Sequence, residues 1–153
     1  MPPLVISGLA GLEAHLGAEL GVSDWHAVSQ ETVNDFARVT GDDQWIHVDV
    51  ERARETPFGG TIVHGYLTLS LGPMLTNEIV RVDGFSHGIN YGLGRVRFPA
   101  PLPVGSRVRM RVKLTKLEAV SGGVQITMEQ TFEREGNDKP VCVAESLGRL
   151  YPG

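Results

Sequence analysis

The chain has 153 residues, of which 41% are hydrophobic and 21% are charged, with a formal net charge of −4. The length suits one ordinary domain, and the composition is near the globular average, which disfavours a disordered chain. The acidic balance disfavours nucleic-acid binding, and no apolar run approaches the ~20 residues of a membrane span. The single cysteine, Cys142, excludes an internal disulfide and a cysteine-based metal cluster. We therefore expect a cytoplasmic protein with one domain over residues 1–153.

Hydrophobic periodicity predicts helices in much of the first third of the chain. Leucines at helical spacing, in an acidic rather than a basic context, favour an N-terminal helix over a signal peptide. Gly21 and Gly41 are typical helix stops, and Ser29 is a typical N-cap with Glu31 in the first turn. The expected elements are a helix over 9–20, a strand over 22–28, a helix from Ser29 to Val39, a loop over 42–48 and a short helix over 49–55.

The most apolar segment of the chain runs from Ile62 to Val80, after a break at Pro57 to Gly60. Its length and its Leu, Met and Tyr content favour a buried helix over a strand. Pro73 removes one helical hydrogen bond, so we expect the helix to kink or end near that residue.

The second half of the chain changes to the alternation of polar and apolar residues that is typical of strands. The clearest case is Arg107–Leu114, in which basic and apolar side chains face opposite sides. Further strands are expected over 85–98, around 124–128 and over 141–151, with a stiff proline-rich connection after the first. Helices followed by antiparallel strands indicate an α+β fold, and a curved sheet wrapped around one long helix satisfies the pattern.

One short loop carries both a carboxylate and an imidazole. Asp42 follows the helix stop at Gly41, and His47 lies five residues later. We therefore expect both side chains to point into one shared cleft, close enough to bind a single water. Trp45 and Ile46 make part of the loop apolar, which excludes other water. From these two residues alone, a turn-capping Asp and a hydrogen-bonded surface His are the more frequent outcome.

A second glycine-rich turn precedes the apolar helix. The N–H of Gly65 at a helix start favours negative charge, so it is a candidate oxyanion donor for a thioester carbonyl, although this glycine also permits close packing. For His64 we expect a structural hydrogen bond. His47 and His64 could bind zinc with Asp42, but the spacing fixes no ligand geometry, and we expect no metal site.

These segments together resemble the MaoC-like family of R-specific enoyl-CoA hydratases, including its nodulation protein N group. The resemblance covers about Val22 to Leu150. It departs from the family at Gln44 and Trp45, where members commonly have Asn-Pro, and at Pro73, where better-studied members place a serine. The matching strings are Thr40-Gly41-Asp42 with Ile46-His47 and Ala53, Ile62-Val63-His64-Gly65, Asn90-Tyr91-Gly92, and residues 96–105.

The resemblance implies a hot-dog fold and the syn addition of water to trans-2-enoyl-CoA, giving (3R)-3-hydroxyacyl-CoA. It makes Asp42 and His47 the catalytic pair and Gly65 the donor to the thioester oxygen. It implies no cofactor beyond the CoA or carrier-protein arm of the substrate, and a homodimer. Arg95 and Arg97 are the better candidates for binding the CoA phosphates. The basic row of the later strand, explained equally well as a solvated face, comprises Arg107, Arg109, Arg111 and Lys113.

Three functions stay open at this point. The first is enoyl-CoA hydration. The second keeps the fold and changes the substrate, as in a 3-hydroxyacyl-carrier-protein dehydratase or a thioesterase, although the Asp42/His47 loop argues mildly against a thioesterase. The third is a non-enzymatic hot-dog subunit that binds acyl groups.

Overall fold

The computed structural model describes residues 2–152, so the two ends of the expected domain, Met1 and Gly153, lie outside the described residues. The strands are β1 Leu4–Ser7, β2 Glu19–Val22, β3 His26–Ala27, β4 Val80–Asp83, β5 His87–Arg97, β6 Arg107–Val120, β7 Gly123–Arg134 and β8 Cys142–Tyr151. The helices are α1 Gly8–His15, α2 Gln30–Thr40, α3 Trp45–Val48, α4 Val50–Ala53, α5 Gly65–Ser70 and α6 Gly72–Ile79.

A six-stranded antiparallel sheet forms the larger part of the fold. Its strand order is β2-β6-β7-β8-β5, with β3 also paired to β6, while β1 and β4 form a separate parallel pair. The alternation predicted for β6 is confirmed, because its apolar side chains are completely buried and its basic ones face outward. The buried set is Val108, Met110, Val112 and Leu114.

The apolar side of the sheet packs against α5 and α6. Leu67, Leu75 and Ile79 of these helices join the buried side chains of β6 and β7 in one hydrophobic core. This is the expected α+β hot-dog arrangement, a curved antiparallel sheet around a central helical segment. Among the described residues, no helix is both long and apolar enough to cross a membrane.

The central helical segment is shorter than the predicted range of 62–80 and consists of two helices. Its start moves to Gly65 because the two preceding residues are extended: the Val63 N–H donates to the Leu102 carbonyl at 2.8 Å, and Ile62 forms a β-bridge with Pro103. Pro73 lies in the first turn of α6, where a missing N–H removes no helical hydrogen bond. The predicted break at this proline is confirmed.

The N-terminal boundaries differ from the prediction. The helix ends at His15 rather than Leu20, because Gly17 turns with φ 86° and its N–H donates to the Leu114 carbonyl at 2.7 Å. Leu20 is buried in β2 instead of on a helix face. The single strand predicted over 22–28 is replaced by the end of β2 and the two-residue β3.

Candidate active site

The end of α2 places Asp42. The helix begins as predicted, since the Ser29 hydroxyl accepts a hydrogen bond from the Thr32 N–H at 3.1 Å. It ends at Gly41, whose φ of 80° lies in the left-handed region that favours glycine. The N–H of Asp42 then donates to the Thr40 hydroxyl at 3.3 Å, which turns the chain out of the helix. Asp42 is exposed to solvent.

His47 lies in α3, a short helix in the segment that was predicted to be a loop, and it is only 7% exposed. Its Nδ1 lies 2.7 Å from the main-chain carbonyl of Ile62. Because a carbonyl only accepts hydrogen bonds, this contact requires a proton on Nδ1. In the neutral ring, Nε2 therefore carries a free lone pair, which is the form that a general base needs.

Gln30 connects α2 to both sides of the site. Its amide nitrogen donates to the main-chain carbonyl of His47 at 2.8 Å, and its amide oxygen accepts from the Thr61 hydroxyl at 2.6 Å. The Gln30 side chain thus connects the start of α2 to α3, through His47, and to the extended residues before Gly65, through Thr61. The sequence did not single out Gln30, because its partners are 17 and 31 residues away.

Asp42, His47 and His64 form a cluster. One carboxylate oxygen and one ring nitrogen from each histidine lie within 4.8 Å of one another. His64 is 1% exposed, and its Nε2–H donates to the main-chain carbonyl of Asp42 at 2.8 Å, which is the structural hydrogen bond expected for this residue. The prediction that Asp42 and His47 lie close together agrees with this geometry.

The same cluster has a poor geometry for a metal ion. The rings of His47 and His64 are stacked, with centroids 3.9 Å apart and an angle of 23° between their planes. The lone pair of an imidazole nitrogen lies in the ring plane, so two stacked rings do not direct their lone pairs to one point. The arrangement suits hydrogen bonding to a small polar molecule better than tetrahedral coordination.

A cavity of about 290 Å³ opens beside His47. The residues that line it include His47, Gly65 and the buried hydroxyl residue Thr68. Asp42, which is exposed, does not line this cavity, so this cavity is not the cleft that Asp42 and His47 were predicted to share. The remaining lining is apolar, and the sequence assigned none of it to a pocket, although six of these residues lie in the strings that resemble the family: Phe58, Ile62, Val63, Phe98, Ala100, Pro101, Leu102 and Val141.

Gly65 is the first residue of α5, so its N–H has no acceptor within the helix. A Cβ at this position would lie 3.0 Å from two ring carbons of Phe98. Neither interpretation of this glycine is excluded: its N–H has no acceptor within α5 and the residue lines the cavity, while its missing side chain makes room for Phe98.

The arginines divide into two groups. Arg95 and Arg97 are exposed, and among residues 2–152 neither forms an ion pair, so both remain available to an anion. The basic row on β6 is largely paired: Arg107 with Glu135, Arg109 with Glu133 at 2.7 Å, and Arg111 with Glu133 and Glu19. These pairs favour the interpretation of the row as a solvated, internally balanced sheet face.

Comparison with known sequences points to one family. The sequence profile described as MaoC like domain matches residues 12–135. The chain is 54% identical over 142 residues to a 3-hydroxyacyl-thioester dehydratase Z of Mycobacterium tuberculosis, covering 92% of this chain and 94% of that protein. It is 44% identical to nodulation protein N of Rhizobium leguminosarum bv. viciae, covering 89% and 86%.

Solved structures share the fold. The unliganded R-hydratase PhaJ1 of Pseudomonas aeruginosa superposes with a TM-score of 0.72 at 20% sequence identity, covering 90% of this chain and 83% of that one. An (R)-hydratase of A. caviae involved in PHA biosynthesis gives 0.72 at 23% identity, covering 88% and 96%. At these identities the likeness establishes the architecture alone.

Proposed function

The chain belongs to the MaoC-like domain family, and we propose that it catalyses the reversible syn addition of water to a trans-2-enoyl-CoA, giving (3R)-3-hydroxyacyl-CoA. Family membership supports a dehydratase, that is, a hydro-lyase acting on an acyl thioester. The enoyl-CoA substrate, the stereochemistry and the roles of individual residues are the further content of the proposal.

The observation that carries the proposal is the pairing of Asp42 with His47. A carboxylate oxygen and an imidazole nitrogen lie within 4.8 Å, a spacing that one water can bridge by hydrogen bonds to both. The Ile62 carbonyl holds the proton on Nδ1 of His47, which leaves Nε2 as the acceptor. A base next to a second proton-transfer group is what the hydration of a double bond requires.

The chemistry follows from this placement. His47 removes a proton from the bridging water as the water oxygen bonds to the β carbon, and the electron pair of the double bond moves toward the thioester carbonyl. The Gly65 N–H hydrogen-bonds the developing enolate oxygen. The proton taken up by His47 passes to the Asp42 carboxylate, which delivers it to the α carbon on the same face, so both side chains return to their starting protonation states. The net change is the addition of one water, and dehydration uses the same steps in reverse.

The carrier of the acyl group binds outside the cavity. Arg95 and Arg97, which are exposed at the end of β5, are proposed to contact the CoA phosphates. The reaction needs no cofactor, because the thioester itself supplies the electron sink. The alternative substrate carries its acyl group on a carrier protein instead of CoA. The name of the mycobacterial relative, a 3-hydroxyacyl-thioester dehydratase, is compatible with both kinds of thioester.

The proposed assembly is a homodimer. β5 lies at one edge of the sheet, and ten of its eleven residues are exposed. Ile89, Tyr91 and Leu93 expose about half of their surface on this strand. An open edge strand with apolar side chains is prone to further pairing, so a second copy is the proposed cover.

The direct test supplies the purified protein with trans-2-enoyl-CoAs of increasing chain length, starting with crotonyl-CoA, and follows the loss of enoyl absorbance. We predict hydration of at least one chain length and a (3R) product in a chirality-specific coupled assay. Hydrolysis to free CoA, detected with a thiol reagent, would instead support the thioesterase alternative. The absence of both reactions, with acyl-CoA binding retained, would support a non-enzymatic subunit.

A further inference from the structure

We propose that His64 is a positioning residue that holds Asp42, His47 and Gly65 in one fixed arrangement. The inference rests on the proposed function, because it concerns the geometry of the proposed catalytic groups. It assigns to a buried histidine outside the Asp42/His47 pair a role in turnover as well as in packing.

The first contact is with the Asp42 segment. The Nε2–H of His64 donates to the main-chain carbonyl of Asp42 at 2.8 Å, across 22 residues of sequence. Asp42 is exposed and follows a helix end. Among residues 2–152, the only other hydrogen bond between its main chain and a side chain is the longer one from the Asp42 N–H to the Thr40 hydroxyl, at 3.3 Å. The bond to His64 therefore restrains the segment from which the carboxylate extends.

The second contact is with His47. The ring of His64 contacts two other rings. It stacks on the His47 ring with centroids 3.9 Å apart, and it is tilted against the Phe36 ring with centroids 4.9 Å apart. The Ile62 carbonyl fixes one end of the His47 ring, and the face of His64 fixes its plane. Together the two contacts leave the ring little freedom to rotate away from the carboxylate.

The third link is to the oxyanion donor. His64 immediately precedes Gly65, and its carbonyl accepts the Thr68 N–H at 3.1 Å and the Thr68 hydroxyl at 3.3 Å in the first turn of α5. The backbone of His64 is thus part of the helix start that presents the Gly65 N–H. Side chain and main chain of one residue connect all three proposed groups.

The cost of burying this side chain argues for a role beyond packing. Nδ1 of His64 is buried and has no hydrogen-bond partner among residues 2–152. Burying a polar side chain costs free energy of desolvation, and an apolar side chain of similar size would fill the same space without that cost. The benefit of the histidine lies in its one donated bond and its flat face.

The first experiment requires no activity. Long-range proton–nitrogen correlation spectra of the wild-type protein, labelled with ¹⁵N-histidine, report the tautomer of each ring. We expect opposite tautomers, with the proton on Nε2 of His64 and on Nδ1 of His47. A proton on Nδ1 of His64 would remove the bond to Asp42 and overturn the inference, whatever the enzyme activity is.

The second experiment compares His64→Gln with His64→Met. The glutamine amide can still donate to the Asp42 carbonyl, whereas methionine fills the space without a donor. Because a displacement of about 1 Å can cost roughly 10²-fold in rate, we expect kcat to fall about 10²-fold in the methionine variant with little change in KM, and at most about 10-fold in the glutamine variant.

Ser23→Ala is the matched control. Ser23 is also buried, and its hydroxyl accepts a hydrogen bond of 2.9 Å from the Met110 N–H, outside the Asp42/His47/His64 cluster. We expect this variant to lose stability and keep the wild-type kcat. Equal kcat for folded His64→Met and wild type would overturn the inference, as would a glutamine variant no better than methionine. If His64→Met does not fold, the inference is tested by the histidine tautomers of the wild type and by the kcat of His64→Gln, which should be at most about 10-fold below the wild-type value. An inactive wild-type protein with the expected tautomers would count against the proposed function alone.

Discussion

The main-chain carbonyl of Ile62 determines which nitrogen of His47 is free. The sequence indicated His47 as a base from its distance to Asp42, but a base also needs a defined tautomer. That tautomer comes from an acceptor 15 residues later, in a segment that was predicted to be helical and is extended. Residue types were thus predictable from sequence, and the protonation geometry required the tertiary fold.

Gly65 permits a sharp test at the residue scale. It is the first residue of α5, where proline is tolerated, and the ψ of 138° at His64 suits a residue before proline. Gly65→Pro removes the proposed oxyanion N–H, whereas Gly65→Ala keeps it and adds the same Cβ against Phe98. We predict that kcat of the proline variant is about 10²–10³-fold below that of the alanine variant, measured with the same enoyl-CoA. Equal rates would remove Gly65 from the proposed mechanism.

At the scale of elements, the predictions succeeded where the signal was local. The N-cap and the glycine end of α2, the alternation in β6 and the break at Pro73 all depend on residues within a few positions. The errors lie where a distant partner overrides a local pattern. The leucine spacing predicted a helix that extends to Leu20, but this residue lies in β2, which pairs with β6.

The ion pairs between β6 and β7 supply a pH-dependent contribution to stability. Burial opposes ionisation of Glu133, but hydrogen bonds from Arg109 and Arg111 outweigh it, so the pKa of Glu133 is lowered from the usual 4.5. A carboxyl group whose pKa is lower in the folded state stabilises the folded protein at pH values above its unfolded-state pKa. This contribution is lost as the pH falls through the folded-state pKa.

We therefore predict that Glu133→Gln lowers the urea midpoint at pH 7, and that its difference from wild type shrinks as the pH falls below 4.5. Glu129→Gln is the matched control, because Glu129 lies on the same strand and forms no ion pair among the described residues. The control should follow the wild-type curve at each pH. A difference between Glu133→Gln and wild type that persists unchanged in acid would contradict the assignment.

At the scale of the whole molecule, the exposed β5 predicts association. Light scattering should report a mass of twice 16.6 kDa at working concentrations. Placing a charge in the proposed interface with Tyr91→Lys should shift the protein toward monomer, since Tyr91 is 53% exposed in the single chain. The same change at the exposed Val39 on α2 is the control and should leave the mass unchanged. A wild-type protein that stays monomeric would contradict the assembly.

The central claim is that Asp42 and His47 act together on one water. It is tested most directly by steady-state hydration of one enoyl-CoA by wild type, Asp42→Ala, His47→Ala and the double variant. Each single change should lower kcat about 10²–10⁴-fold in a folded protein, and the double variant should be scarcely slower than either single one, because the pair works as a unit. Losses that multiply in the double variant, or a single variant that keeps wild-type turnover, would contradict the claim.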